Sequence, residues 1–293
     1  MKIAIFGAGN IGAAVANDLI VSDSLSQKID NIALVDAVER IARGKALDLA
    51  HTAAVYERDL RISGSTEPGD IAEAGIVVIT AGHARKAGQS REELFGSNAA
   101  IVAQCARDAA KYAPSSIIIV VTNPLDIMVY AALQASGFAK ERVIGMAGEL
   151  DGARLKFELA RASGKEISSM RSAIVGPHSE EMIALKNELG FEISDEIFGR
   201  AVRNTKCAGA QIGELLGTSA YLAPAAGIVK IIKYILFDTC GTLACCVADR
   251  SGVPLGRFVS VGKMGAIEKN FAYSGEFYKQ LERMRERIAE LKF

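Results

Sequence analysis

Three histidines, His51, His83 and His178, are the chain's candidates for a side chain that trades a proton near neutral pH. His51 lies in the helical run "KALDLAHTAAV", where a surface or packing role is the simpler expectation. His83 opens the loop "GHARKAGQSR" (82–91), which carries three cations and two glycines but has no carboxylate partner close in sequence. His178 follows a strand in "AIVGPHSEEM", where Gly176 and Pro177 would present it rigidly. The stretch "AGELDGARLKFELA" supplies groups to go with it: Asp151 and Arg154, spaced i, i+3, share one helix face. Asp151 suits an imidazole, holding one tautomer and raising its pKa. Arg154 suits a carboxylate, which a guanidinium grips as a fork. An ordinary surface ion pair has the same spacing, and pattern alone leaves the two readings level. The chemistry such a set would serve is hydride transfer to a carbonyl. That reaction needs a proton donor near neutral pKa, a cation to polarise the oxygen and a clamp for any substrate carboxylate.

The elements that must position these groups can be read from hydrophobic pattern. Short β-branched runs, "KIAIF" (2–6), "NIALV" (31–35), "DLRIS" (59–63), "GIVVIT" (75–80), "SIIIVVT" (116–122) and "RVIGM" (142–146), alternate with helical stretches at 11–20, 41–53, 92–112 and 124–136. Continuous apolar strands separated by helices predict a parallel sheet covered on both faces, and six of them in two sets of three predict an α/β doubly wound Rossmann layout. The expected division is a dinucleotide-binding domain at 1–146 and an α+β substrate domain at 147–293. In the second half the reading is a helix at 149–162, a strand within "SSMRSAIVG", a long helical tract at 196–237 and a C-terminal helix. That last helix aligns Phe277, Leu281, Met284, Ile288 and Leu291 in one stripe. There is no repeat and no low-complexity linker.

The first strand runs into Gly7-Ala8-Gly9-Asn10-Ile11-Gly12, a Gly-x-Gly-x-x-Gly turn that opens a helix. Glycines there allow a tight turn, close approach of backbone to a pyrophosphate and helix-on-strand packing, while the helix start offers free N–H groups. Alone the motif is weak. Asp36, which follows the second strand 24 residues after Gly12, strengthens it, because a carboxylate there can bond both ribose hydroxyls of NAD and would repel a 2′-phosphate. Arg40 and Arg43 lie close by, which leaves some tolerance of NADP open. Asn123 in "VVTNPLD" (120–126) ends the fifth strand, where ligands of this fold bind, and is expected to face the nicotinamide. Capping a helix that begins at Pro124 is its other, compatible role.

Lys+Arg and Asp+Glu are both 34, so no global field favours nucleic acid or an anionic membrane, and no apolar run is long enough to span a bilayer. Five cysteines without a C-x-x-C pair point to a reducing cytoplasm, each cysteine being most simply a small buried residue. No signal peptide is expected.

Taken in order, "GAGNIG", "TAG" (80–82), "ARKAGQSR", "TNPLD", "LDGAR" and "GPH" make the chain resemble the lactate/malate dehydrogenase family over nearly its whole length. The segments "RVIGMAG" and "LLGTSAYLAPAA" (215–226) look like those of its NAD-dependent, lactate-dehydrogenase-like malate dehydrogenases. The resemblance implies that His178 is the acid/base, Asp151 its partner and Arg154 the clamp on the C1 carboxylate. It implies that Arg91 stabilises charge on the reacting carbonyl, that Asn123 bonds substrate and cofactor, and that Asn98 and Val121 contact the cofactor. Arg85, six residues before Arg91, would meet the second carboxylate of a dicarboxylate substrate, where a glutamine would suit a methyl group. It also implies a homotetramer or homodimer and no metal.

The chain departs from the family pattern in several places. His178-Ser179-Glu180 replaces His-Gly-Asp, Ala87 replaces proline, and Glu149 stands where a small or apolar residue is common. The stretch from about 238 to 262 looks shortened, compressing a region that usually holds another strand pair. The alternatives are another 2-hydroxy-acid dehydrogenase such as lactate dehydrogenase, an NAD- and metal-dependent glycosidase using Cys207 and His178 as ligands, and an inactive nucleotide-binding protein.

Overall fold

A computed structural model describes residues 1–83 and 91–291, with the backbone alone for 91–94. Six strands, β1 (Lys2–Phe6), β2 (Asn31–Val35), β3 (Arg61–Ser65), β4 (Ile76–Ile79), β5 (Ile117–Val120) and β6 (Val143–Gly145), stand in the parallel order 3-2-1-4-5-6. That is the doubly wound arrangement the alternating pattern predicts. Successive side chains of one strand go to opposite faces, so each strand feeds two cores. Ile3, Ile5, Ile76, Val78, Ile117 and Ile119 pack on one face, while Ala4, Phe6, Val77, Ile79, Ile118 and Val120 pack on the other. Helices α1 (Asn10–Val21), α2 (Asp23–Ser26), α3 (Glu39–Val55), α4 (Arg91–Tyr112) and α5 (Leu125–Ser136) connect these strands. The last of them is closed by left-handed Gly137, φ 65°.

After α6 (Gly148–Ser163) the structure departs from expectation in three places. The strand within 168–176 shrinks to β7 (Ile174–Val175), paired with β8 (Ile183–Ala184). The helical tract 196–237 divides at Gly217, φ 66°, into α7 (Asp195–Leu216) and α8 (Leu222–Leu236). The compressed-looking stretch near 238–262 keeps its strands. The segment forms β9 (Gly241–Ala248), β10 (Pro254–Gly262) and β11 (Gly265–Glu268), an antiparallel meander that pairs with β6 at Gly145 and Cys246. One nine-stranded sheet therefore runs through both halves of the chain. The C-terminal helix α9 (Gly275–Ala289) buries Phe277, Leu281, Met284 and Ile288, as its stripe predicts, with Leu291 packed just beyond its end. Among the described residues no helix is long and apolar enough to cross a membrane.

Candidate active site

The glycine-rich turn joins β1 to α1, and its three glycines are needed for different reasons. Gly7 has φ 99° and its backbone lies against the end of β4, where an added Cβ would stand 2.7 Å from the Ala81 nitrogen. At Gly12 a Cβ would fall 2.0 Å from the Gly7 carbonyl oxygen, so only glycine lets α1 start this close to β1. Gly9 is the opposite case, with no heavy atom within 4 Å of the Cβ position. That open space in front of a helix start is what an approaching pyrophosphate requires, and the first N–H groups of α1, from Asn10, Ile11 and Gly12, have no partner one turn back within the helix. Asp36, beyond β2, braces the turn: its carboxylate accepts the Ala8 N–H at 2.8 Å and the Val38 N–H at 2.9 Å. Of the nearby cations, Arg43 pairs with Glu39 at 3.3 Å and Arg40 is exposed. The residues thus fit a dinucleotide. Gly12→Ala is expected to cost about 1–3 kcal/mol of stability through overpacking and to weaken dinucleotide binding, read by thermal unfolding and by fluorescence titration. An alanine variant with the parent's Tm and affinity would show that the close approach is not needed.

At the ends of β4 and β5 a second cluster forms. Asn98 on α4 is 2% exposed, and its amide ties two segments together: Oδ1 accepts the His83 N–H at 2.8 Å, while Nδ2 donates to the carbonyls of His83 (3.3 Å) and Asn123 (2.9 Å). Thr122 Oγ donates to the Ala81 carbonyl at 2.7 Å, and Val121 is buried with its N–H on Ile79. Asn123 is exposed just before the cis bond to Pro124. It does not cap α5: the residue at the cap is Pro124, with no side-chain bond. Its amide therefore stands clear of the helix start, at the carboxyl edge of the sheet.

His178 comes from the other half. Its loop is held on one side by Gly176, whose N–H and carbonyl bond Gly256 of β10 at 2.9 and 3.0 Å. An added Cβ at Gly256 would sit 2.4 Å from the Gly176 oxygen, so the approach depends on glycine. On the other side the His178 N–H donates to Asp126 at 3.0 Å. The ring Nδ1 lies 2.7 Å from Asp151 Oδ2, and Arg154 Nη1 donates to Asp151 Oδ1 at 3.3 Å. Asp151 is 1% exposed, so this is no surface ion pair. An ionised carboxylate only accepts, which keeps the proton on Nδ1 and leaves Nε2 to face a reactant. Burial by itself would push the imidazolium to release its proton. The Asp151 charge and hydrogen bond, with Asp126 adding to them, outweigh burial and the opposing Arg154, so His178 holds its proton above the ordinary histidine range.

The structure thus brings together His178, Asp151 and Arg154. It gathers Gly7, Gly9, Gly12, Asp36, Asn98, Val121 and Asn123 along the carboxyl edge of the sheet. Arg91 is the first residue of α4, with its side chain outside the description, and Arg85 lies outside the described residues. His51 and His83 are both exposed. Cys207 and Cys240 are exposed too, which corrects the expectation of five buried cysteines; Cys105, Cys245 and Cys246 are buried. No cluster of three or more His, Cys, Asp or Glu suited to a metal occurs among the described residues. Two of the departures have clear structural settings. Ser179 accepts the Glu181 N–H at 3.1 Å, closing a turn, and buried Glu149 pairs with Lys230 of α8. The residue that sequence reasoning missed is Asp126, legible only as the last letter of "TNPLD".

The chain is similar to known proteins in both sequence and fold. Residues 1–145 match the family model described as lactate/malate dehydrogenase, NAD binding domain. The chain is 36% identical over 282 residues to malate dehydrogenase of Bacteroides fragilis, covering 92% of this chain and 88% of that one. It superposes with a TM-score of 0.91 on malate dehydrogenase from Aeropyrum pernix, at 30% identity over 99% of this chain and 98% of that one. With malate dehydrogenase from Archaeoglobus fulgidus in complex with NADH the TM-score is 0.90, at 30% identity over 100% of both chains. By sequence and by fold, the chain belongs to the lactate/malate dehydrogenase family of NAD-dependent oxidoreductases.

Proposed function

We propose that the protein interconverts malate and oxaloacetate with NAD(H). The observation that carries this reading is the buried His178–Asp151 pair with Arg154 on the same carboxylate, in a chain whose relatives are named malate dehydrogenase. Residues 1–146 hold the dinucleotide: the Gly7–Gly12 turn takes the pyrophosphate, Asp36 the ribose hydroxyls, and Val121 and Asn123 flank the nicotinamide. NAD(H), held there, supplies or takes up the hydride. Asn98 fixes the backbone of His83 and Asn123, and its Oδ1, which accepts one hydrogen bond there, keeps a second lone pair for a cofactor contact. Residues 147–293 supply the rest of the chemistry. His178 Nε2 gives its proton to the carbonyl oxygen of oxaloacetate and takes the hydroxyl proton of malate. Asp151 stabilises the imidazolium, Arg154 grips the C1 carboxylate, Arg91 meets the developing charge on oxygen, and Asn123 bonds the substrate. Arg85 pairs with the second carboxylate. A homotetramer or homodimer in the cytoplasm is the expected setting, and exposed Leu47, Val55, Leu215 and Leu216 are apolar groups a second copy would cover.

An initial-rate panel with oxaloacetate, pyruvate and 2-oxoglutarate against NADH and NADPH tests the proposal. Oxaloacetate with NADH is expected to win; faster pyruvate reduction would make the protein a lactate dehydrogenase instead. Arg85→Gln is expected to lower kcat/KM for oxaloacetate about 30-fold or more, the consequence of unpairing a carboxylate in the complex, and to raise that for pyruvate. Unchanged oxaloacetate kinetics would remove Arg85 from specificity.

A further inference from the structure

The carboxylate of Asp126 is buried at the start of α5, three residues after Asn123, and it faces the second half of the molecule. Its two oxygens have separate partners: Oδ2 accepts the backbone N–H of His178 at 3.0 Å and Oδ1 accepts the Cys246 thiol of β9 at 3.2 Å. One buried side chain thus ties the strand end proposed to flank the nicotinamide to the loop carrying the proton donor, across a sequence separation of 52 residues. We propose that Asp126 is a positioning residue for His178, a second carboxylate that fixes its loop through the backbone and, being ionised, adds its charge to that of Asp151 in holding the imidazolium. This inference rests on His178 being the acid/base of the proposed reaction.

Part of the surroundings favours a charge at this place. A carboxylate in the first turn of a helix faces the positive end of the helix dipole, and it accepts one backbone N–H as well as a thiol. Burial opposes this and is the larger effect, so the Asp126 pKa stands above the usual carboxylate range even though the His178 backbone bond, the Cys246 bond and the His178 charge each draw it down in part. The other charged groups facing the pair are Asp151 and Arg154 on α6, and Glu181, Arg283 and Arg287, which line the same cleft as His178 and Asp126. Behind Cys246 stands Arg257 of β10, itself paired with Glu268 at 2.9 Å and Asp249 at 3.5 Å. None of these touches the His178 backbone nitrogen, which is the atom Asp126 holds.

Asp126→Asn separates charge from shape, because the amide oxygen can still accept the His178 N–H. The test titrates protein carrying 13C at histidine Cε1, in which His51 and His83 serve as internal controls. In Asp126→Asn the His178 midpoint is expected to move down while the two controls stay. At pH above the wild-type midpoint, kcat/KM for oxaloacetate reduction is expected to fall roughly three- to tenfold, as a downward shift of half to one unit requires. A merely structural contact would leave the midpoint where it is, and that result overturns the proposal. If the variant does not fold, the wild-type protein decides through its aspartate 13Cγ titration. Asp126 must be ionised throughout the His178 transition, and a protonated Asp126 there overturns the idea. Because the titration uses no substrate, a protein that ignores oxaloacetate yet shows the Asp126-dependent midpoint would sink the malate assignment alone.

Discussion

Replacing His178 by glutamine is expected to lower kcat/KM for oxaloacetate reduction by about 10²- to 10⁴-fold, the range that a positioned general acid contributes. NADH binding, measured by fluorescence, should be retained, because the turn from Gly7 to Gly12 and Asp36 lies in the other half and shares no hydrogen bond with the imidazole. The amide keeps a polar side chain of similar size but cannot become an acid at any accessible pH. The wild-type protein carries a further signature. Reduction consumes the imidazolium, so its kcat/KM is level below the His178 pKa and falls as pH rises through it. Oxidation needs neutral imidazole, so its kcat/KM falls as pH drops through the same value. Because Asp151 and Asp126 outweigh burial and lift that pKa, the reductive plateau extends to higher pH than a solvent histidine would allow. Asp151→Asn should pull the reductive limb back to lower pH. A glutamine variant with near-parental turnover, or two directions with one shared pH profile, would strip His178 of its role.

How far the sequence could be read follows from how each residue acts. Strands buried on both faces write themselves as unbroken β-branched runs, which is why β1, β2 and β4 to β6 are legible to within a residue or two. Strands β9 and β10 are equally buried but built partly from Ala, Cys and Gly, residues with little β signature, so "GTLACCVA" reads as a compressed stretch rather than a strand. The glycine motif and Asp36 are legible because backbone geometry itself demands those types. Asp151 and Arg154 are legible as a pair but not as a buried one; burial is decided by Leu155 and Leu159 turning that helix into a core, with β7 and α7 packed against it. Asp126 stays hidden for a different reason. Its link to His178 is through a backbone N–H, and a hydrogen bond to a backbone leaves no mark on the identity of the residue that donates it.

Arg154→Gln is expected to raise KM for oxaloacetate and to lower kcat/KM by about 2–5 kcal/mol, or roughly 30- to several thousand-fold, the cost of removing one member of a desolvated charge pair. The loss should be shared by every 2-oxo acid, since the carboxylate beside the carbonyl is common to them all, whereas loss of Arg85 should fall on dicarboxylates alone. A second effect comes from position. Arg154 bonds Asp151 Oδ1 while His178 bonds Oδ2, and its charge draws the His178 pKa down. With Arg154 gone the imidazolium is held more firmly, so the reductive limb should move to higher pH even as the rate falls. Arg154→Lys separates the two effects. The lysine keeps a positive charge near Asp151, so the pH limb should stay closer to the parent's. Its ammonium lacks the planar fork, so KM should recover only in part. If the glutamine variant shows the parental KM, the clamp lies elsewhere. If the lysine variant restores KM in full, the carboxylate is recognised by charge alone and not by the geometry of a guanidinium.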